Sequence, residues 1–295
     1  MAYAIGFVGL GVMGAPMAQR LMNQGCRLTV HNRTREKGAA LIKAGARWAE
    51  TPAETARGAH SVHSMVSTPD ALRSVTLGPD GILAGLAPGG IHVDHSTVSP
   101  DLTAQLAREY AAQGKHFLHA PVLGSVSQVV DGTLLLFVGG EDAAAQRVEP
   151  IVRMLGSRTW RFPRPEQATT TKLLCNSFIA GMIGVLAQAL VLAKKSDVDP
   201  STLLEIIGQS QLNAPTYQTK GRAIIERNFT PRFFVEHLAK DVGLVLDLAH
   251  AQHVPMPVAE AVHQLITQAV ASGLAKEDYA SIVKVLERAA GVEVR

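Results

Sequence analysis

The chain has 295 residues, of which 47% are hydrophobic and 18% charged, and its formal net charge is +3. This length predicts two domains, and the composition is typical of a globular protein. The small net charge and the lack of basic runs argue against a nucleic-acid partner, and no cluster of His and Cys has the spacing of a metal site.

The cysteines and the N-terminus indicate where the protein works. Two cysteines, Cys26 and Cys175, are too few for a disulfide scaffold and favour a reduced compartment. The apolar N-terminus lacks the charged segment of a secretory signal peptide. We therefore expect a mature cytoplasmic chain.

The first predicted strand, Ala4–Val8, leads into a glycine-rich turn and then a helical pattern that runs through Met22. Strand, GxGxxG and helix in that order are typical of a dinucleotide site, because backbone N–H groups at the helix start meet the pyrophosphate. We expect cofactor contacts from the whole turn: Gly9, Leu10, Gly11, Val12, Met13 and Gly14.

The second predicted strand, Arg27–Val30, ends beside a basic loop. NAD-preferring sites usually have an acidic side chain here for the ribose 2′-OH, but none occurs between Arg27 and Arg35. Arg33 and Arg35 instead offer guanidinium groups suited to a 2′-phosphate. We predict that NADP(H) is preferred over NAD(H), with Asn32, Arg33 and Thr34 in the cofactor site.

Two later predicted strands end in polar loops. Ser61–Ser67 is the first, and its end makes Val66 and Ser67 candidate cofactor contacts, since cofactors bind at the carboxyl ends of such strands. Gly90–Asp94 is the second, and it leads to Ser96 and Thr97, which we expect to face the site.

The remaining α/β pattern includes predicted strands at His116–Ala120, Thr133–Val138 and Arg158–Phe162. Strands that alternate with helices predict an α/β, Rossmann-type, doubly wound and mostly parallel sheet. Beyond it, the sequence indicates helices only. We predict an NADP-binding Rossmann domain at residues 1–164 and an all-α substrate and oligomerisation domain at residues 165–295, joined by a long central helix.

That central helix is predicted at Thr169–Ala193. Lys172 and Asn176 are four residues apart, so they share one face of its first turns. The stretch Phe178–Ala193 has no charge but is shorter than the ~20 residues that a bilayer requires. We therefore interpret it as a helix buried within the protein rather than a membrane span.

Five motifs in order resemble the β-hydroxyacid dehydrogenase family over essentially the whole chain. They are GLGVMGAPMA (9–18), DHSTVSP (94–100), APVLGS (120–125), KLLCN (172–176) and HLAKD (237–241). The tract at 208–233 is most similar to the glyoxylate/succinic semialdehyde reductase branch.

The resemblance implies reversible hydride transfer between a nicotinamide cofactor and a small carboxylated aldehyde or its hydroxy acid. Lys172 matches the catalytic lysine, Asn176 its partner and Ser96 a substrate-contacting serine. Thr97 and Lys240 match residues at the cofactor. Gly124 falls where the family's backbone N–H groups hold the substrate carboxylate, and we expect substrate contacts from Leu123, Gly124 and Ser125. This loop departs from the family's usual PVSGG or PVSGT, which bears on the identity of the substrate. The family also implies a homodimer or homotetramer.

Several alternatives remain open at this point. The substrate could be 3-hydroxyisobutyrate or tartronate semialdehyde instead of succinic semialdehyde or glyoxylate. An imine reductase shares the architecture, although such enzymes commonly replace the lysine that this chain keeps as Lys172. A non-catalytic NADPH-binding scaffold is a third alternative, and the retained lysine argues against it too.

Overall fold

The computed structural model describes residues 2–295, which form two compact units. The first extends through Lys172 and the second covers Leu173–Arg295. The first unit is α/β, and the second is helical apart from one isolated bridge between Phe234 and Asp278. The division falls inside a long helix, so the predicted domain boundary after residue 164 stays a prediction.

The first unit is built on one nine-stranded sheet. Its strands are β1 (Ala4–Val8), β2 (Arg27–His31), β3 (Arg47–Trp48), β4 (Ser61–Ser64), β5 (Ile91–Asp94), β6 (His116–His119), β7 (Val122–Leu123), β8 (Leu134–Gly139) and β9 (Gly156–Phe162). The order across the sheet is β3-β2-β1-β4-β5-β6-β8-β7, with β9 also paired to β8. Only the β6–β8 and β7–β8 pairings are antiparallel, which confirms the mostly parallel Rossmann-type fold.

Eight α-helices belong to the first unit alone. They are α1 (Gly14–Asn23), α2 (Ala39–Lys43), α3 (Pro52–Ala56), α4 (Pro69–Thr76), α5 (Ile82–Gly85), α6 (Pro100–Ala111), α7 (Val126–Asp131) and α8 (Asp142–Leu155). Three of them begin alike: Thr51, Thr68 and Ser99 each accept a backbone N–H through the side chain, and proline follows at the first helical position. The sequence had not indicated α4, α5 or α7.

Apolar side chains cover both faces of the sheet. Met17 and Leu21 of α1 belong to one buried cluster, together with Val148 and Leu155 of α8. A second cluster contains residues of α4, α5 and α6. Each fully buried aliphatic side chain of this size contributes roughly 1.5–3 kcal/mol to folding, so the sheet is a rigid base for the loops at its carboxyl edge.

Helix α9 (Pro165–Lys195) begins in the first unit and continues into the second. It starts four residues earlier than predicted, since Pro165 suits a first turn whose N–H groups have no partner within the helix. The other helices of the second unit are α10 (Pro200–Gln209), α11 (Pro215–Ile225), α12 (Val235–Ala251), α13 (Pro257–Ala269) and α14 (Val283–Ala290).

The expectation that the central helix is buried on all sides is wrong for the single chain. Leu174, Phe178, Val185 and Leu192 are between 47% and 73% exposed. Their spacing places them on one face of α9, opposite the buried residues Ile183 and Leu190. Among residues 2–295, α9 is the one helix long and apolar enough to cross a membrane, and 44% of its most apolar stretch is buried.

Candidate functional site

The glycine-rich turn follows β1 at the point where the strand order reverses between β1 and β4. Gly9 has φ +95° and approaches Met65, while a Cβ on Gly14 would lie 2.0 Å from the Gly9 carbonyl oxygen. Gly11 differs, since it is exposed and a Cβ there would meet nothing within 4 Å. Gly9 and Gly14 are therefore needed for packing, and Gly11 leaves open the space that a pyrophosphate would occupy. The turn fits a dinucleotide.

Asn32 supports this turn from the end of β2. Its Oδ1 accepts the Leu10 backbone N–H at 2.9 Å, and its Nδ2 donates to the Thr34 carbonyl at 2.9 Å. The Gly9 N–H donates to the His31 carbonyl at 3.0 Å. Asn32 thus holds the glycine turn and the basic loop together, a role that the sequence did not indicate.

The two arginines of the basic loop differ in their contacts. The Arg35 guanidinium lies 2.6 Å from Glu50 Oε1 and 5.0 Å from the centre of the Trp48 ring. Arg33 and Thr34 are exposed beside it. Arg33 is therefore the better placed of the two arginines for a 2′-phosphate, because Arg35 already faces a carboxylate.

The loops after β4 and β5 are joined by Ser96, which is fully buried. Its Oγ donates to Asp94 Oδ1 at 2.7 Å and accepts the Val66 backbone N–H at 2.9 Å. Ser67 is exposed and Thr97 half-buried at the same edge of the sheet. The Ser96 hydroxyl hydrogen is already used within the protein, and its predicted substrate contact stays a prediction.

The loop after β7 carries the predicted carboxylate contacts. Leu123 is half-buried and pairs with Leu135 of β8, and Gly124 is exposed with φ +142°. The Ser125 hydroxyl donates to Gln128 Oε1 at 2.6 Å, and the same oxygen accepts the Ser125 N–H at 2.8 Å. Ser125 therefore begins α7 as a capping residue, while the Gly124 backbone lies at the surface.

Lys172 and Asn176 lie one turn apart on α9, as predicted, with Lys172 half-buried and Asn176 buried. Asn176 Nδ2 donates to Asp241 Oδ2 at 2.6 Å, and a carboxylate can only accept, so the amide orientation is defined. Its other atom, Oδ1, is buried and has no hydrogen-bond partner within residues 2–295. An unpaired buried acceptor of this kind fits a ligand that donates a hydrogen bond.

Asp241 was missed by the sequence reasoning, which included it only as the last residue of the HLAKD motif. It is buried, and Lys240 Nζ lies 2.7 Å from its Oδ1 in an ion pair. Asp241 thus brings Asn176 and Lys240 together within the second unit. Its position in HLAKD was visible in the sequence, and the apolar Leu238 and Val245 on the same helix face could have indicated burial.

These features define a class. A doubly wound sheet with a GxGxxG turn at its switch point, and a lysine and an amide on one helix face, is typical of a nicotinamide-dependent dehydrogenase. Residues 4–164 match the family model described as the NAD binding domain of 6-phosphogluconate dehydrogenase. Residues 167–286 match the NAD-binding model of NADP-dependent 3-hydroxyisobutyrate dehydrogenase.

Individual proteins agree with the family models. Glyoxylate/succinic semialdehyde reductase 2, chloroplastic, of Arabidopsis thaliana is 31% identical over 97% of this chain and 80% of the relative. Cytokine-like nuclear factor N-PAC of Homo sapiens is 32% identical over 95% of this chain, which spans only 51% of that relative.

Solved structures share the architecture. A 3-hydroxyisobutyrate dehydrogenase (ygbJ) from Salmonella typhimurium superposes with a TM-score of 0.88, at 25% identity, over 96% of this chain and 99% of that one. Psf3 in complex with NADP+ and 2-OPP has a TM-score of 0.87 at 23% identity, over 96% and 99% of the two chains. The chain belongs to the β-hydroxyacid dehydrogenase family of NAD(P)-dependent oxidoreductases, which includes the semialdehyde reductases.

Proposed function

We propose that the protein is an NADPH-dependent reductase that interconverts a small carboxylated aldehyde, such as succinic semialdehyde or glyoxylate, and its hydroxy acid, with Lys172 as general acid and base. The observation that most supports this reaction is the buried, unpartnered Oδ1 of Asn176, which lies one turn along α9 from Lys172. The Arabidopsis relative, a glyoxylate/succinic semialdehyde reductase by name, supports the substrate class.

The chemistry follows from what each residue can do. The nicotinamide supplies hydride to the carbonyl carbon when it is bound in the site. Negative charge then develops on the carbonyl oxygen, and the Lys172 ammonium donates a proton to that oxygen. Asn176 Oδ1 accepts a hydrogen bond from the substrate hydroxyl or the lysine and so orients the reacting group. In the reverse direction, neutral Lys172 removes the hydroxyl proton.

Other predicted residues take binding roles in this proposal. The exposed Gly124 backbone, flanked by Leu123 and Ser125, holds the substrate carboxylate, with Ser96 beside it. Thr97 and Lys240 contact the cofactor, as do Val66 and Ser67 by their backbones. The basic loop contributes Arg33 to the 2′-phosphate of NADP(H), which supports NADP(H) over NAD(H).

Steady-state kinetics with a panel of substrates tests the reaction. We expect NADPH to be oxidised faster with succinic semialdehyde or glyoxylate than with cyclic imines or tartronate semialdehyde. With the same aldehydes, NADPH should be oxidised faster than NADH. In the reverse direction, 3-hydroxyisobutyrate should be a poor substrate. Turnover of imines alone would make the protein an imine reductase. No turnover of any compound, with NADPH still bound, would make it a binding protein.

Lys172→Ala tests the acid. The loss of proton transfer should lower kcat by about a hundred- to ten-thousandfold, with the Kd for NADPH within about threefold of wild type. Lys194→Ala is the matched control, since Lys194 is an exposed lysine in the last turn of the same helix. Activity of Lys172→Ala within tenfold of wild type would show that another group is the acid.

We also propose that the chain is cytoplasmic and forms a homodimer or homotetramer through α9. The exposed apolar face defined by Leu174, Phe178, Val185 and Leu192 supports a second copy as its partner. Light scattering after gel filtration should give a multiple of the 31.3 kDa chain mass, and Phe178→Glu should yield monomer. A wild-type monomer, or recovery in the membrane pellet, would contradict this proposal.

A further inference from the structure

The carboxyl edge of the sheet rests on a buried network of polar side chains. His63, His92, His95 and His119 are fully buried, as is Asp94. They come from neighbouring parallel strands, β4, β5 and β6, or from the residue directly after β5. Their side chains bond to one another and to hydroxyl groups, and no group of His, Cys, Asp and Glu within residues 2–295 is arranged to hold a metal ion.

In one branch of the network, the donor and the acceptor of each hydrogen bond can be assigned. His95 Nδ1 lies 2.7 Å from the Ala120 carbonyl, which can only accept, so this nitrogen donates. Burial lowers the pKa of His95 to about 4, so the ring is neutral and its Nε2 accepts from His63 Nδ1 at 2.9 Å. The pKa of His63 is also lowered, first by burial, and its Nε2 accepts from the Ser61 hydroxyl at 3.1 Å.

The second branch ends on Asp94. The Ser64 hydroxyl donates to Asp94 Oδ1 at 2.5 Å and accepts from His92 Nε2 at 2.8 Å. His92 Nδ1 then accepts from the Tyr110 hydroxyl at 2.8 Å. Burial raises the pKa of Asp94, but hydrogen bonds and charge from His119, with further contributions from His92 and Ser64, outweigh it and keep the pKa below its usual value. Asp94 is thus a buried carboxylate that several donors stabilise.

His119 joins Asp94 to helix α9. Its Nε2 donates to the Ser96 carbonyl at 2.9 Å and lies 3.4 Å from Asp94 Oδ2. Its Nδ1 lies 2.8 Å from Thr169 Oγ1, and this hydroxyl also lies 3.0 Å from the Pro165 carbonyl. A hydroxyl can donate or accept, so the contact holds in either protonation state of the ring. Thr169 is fully embedded, three residues before Lys172 on α9.

We propose that His119 and Thr169 are positioning residues that set Lys172 relative to the Ser96 loop. One imidazole contacts the backbone of that loop through Nε2 and the second turn of α9 through Nδ1. Thr103 Oγ1 contacts the Thr169 hydroxyl from α6 at 2.9 Å, so the threonine is held from two elements. The geometry of an acid matters because a displacement of about 1 Å can cost on the order of a hundredfold in rate. This inference rests on the proposed role of Lys172.

The structure provides a matched pair of threonines for the test. Thr169 and Thr171 each contact the carbonyl four residues earlier, at 3.0 and 2.9 Å, but only Thr169 also contacts His119. Thr169→Val should lower kcat by roughly ten- to a hundredfold, with the Kd for NADPH within threefold. Thr171→Val should stay within twofold of wild type, and Thr169→Ser, which keeps a hydroxyl, should recover most of the activity.

A second variant covers the case in which Thr169→Val fails to fold. His119→Gln places an amide nitrogen near the former Nε2 but no atom near Nδ1, so it should lower kcat as Thr169→Val does. The double variant should be no slower than either single variant, because both changes remove the same contact. ¹⁵N spectra of labelled histidine should show the His119 Nδ1 resonance shifted in Thr169→Val and unshifted in Thr171→Val.

The outcomes separate this inference from the proposed function. If Thr169→Val and His119→Gln keep kcat within twofold of wild type while Lys172→Ala is inactive, the positioning role is overturned and the acid stands. If kcat falls equally in Thr169→Val and Thr171→Val, helix stability is the cause and the positioning role is again overturned. If Lys172→Ala remains active, the proposed acid fails, and this inference fails with it.

Discussion

Asn176 and Asp241 form a buried hydrogen bond of 2.6 Å inside the helical unit, and this bond determines which end of the Asn176 amide is unpartnered. Asp241→Ala should release the amide and leave its N–H₂ group without an acceptor, at a cost of about 1–3 kcal/mol in stability. We expect kcat to fall roughly ten- to a hundredfold. Asp247→Ala is the control, since Asp247 is an exposed aspartate on the same helix. Equal kinetics of the two variants would contradict a role for Asp241.

The exposed Arg33 should determine cofactor preference. A charge-assisted contact worth about 1.5–3 kcal/mol predicts that Arg33→Ala lowers kcat/KM with NADPH by roughly ten- to a hundredfold and leaves the value with NADH unchanged. Arg35→Ala should have a smaller effect, because Arg35 pairs with Glu50. A parallel loss with both cofactors in Arg33→Ala would place this residue outside the 2′-phosphate site.

Replacing two glycines of the same turn with alanine should have different effects, one on stability and the other on NADPH binding. In Gly14→Ala the new methyl group would lie 2.0 Å from the Gly9 carbonyl oxygen, so we expect a lower Tm or insoluble protein. In Gly11→Ala the methyl group meets no protein atom within 4 Å, so Tm should be unchanged while NADPH binding weakens. Differential scanning fluorimetry and fluorescence titration measure the two effects, and normal NADPH affinity in Gly11→Ala would contradict the site.

The buried histidines should make stability depend on pH. Burial lowers the pKa of His92 and His95 to about 4, whereas an unfolded histidine titrates near 6.5. Between these values the unfolded state binds more protons, so this stability is present above pH 6.5 and is lost as pH falls towards 4. In this window, each of the two histidines should lower the free energy of unfolding by about 1.4 kcal/mol for every unit by which the pH falls.

Urea unfolding at pH 7, 6 and 5 measures that slope. His92→Gln removes one titrating group and should reduce the slope, although it will also lower stability at pH 7. His250→Gln, at an exposed histidine, is the control for the loss of an imidazole as such. An unchanged slope in His92→Gln would mean that the pKa of this ring is the same in the folded and unfolded states.

Much of the fold and part of the site were predictable because the signals are local. The GxGxxG turn and the strand ends before Val66 and Ser96 occur in contiguous stretches whose physical meaning does not depend on the partner strand. Helical spacing alone placed Lys172 and Asn176 on one face of a helix, and their roles followed from the family resemblance. Predicting these features requires only the local periodicity that indicates a strand or a helix.

The polar network was not predictable, because it depends on the register between strands far apart in sequence. Ser64 pairs with Asp94 and Asp94 with His119, and neither pairing can be read from one chain. A signal was nevertheless present: strands buried on both faces are usually continuous apolar runs, and the segments SVHS, IHVD and HFLH are not. Similarly, an apolar helix pattern cannot distinguish burial within the chain from burial against a second copy.

In the Ser61–His63–His95 branch, every hydrogen bond is donated in the same direction along the chain of side chains. This limits which substitutions the branch can accept. Each imidazole in it accepts on one side and donates on the other, so replacing one ring with a side chain that only donates would leave a buried neighbour unpartnered, at about 1–3 kcal/mol. A second replacement that reverses the neighbour's role would restore the match. We therefore expect substitutions at positions 63 and 95 to be tolerated together more readily than singly, which a double-mutant library selected for soluble expression can measure.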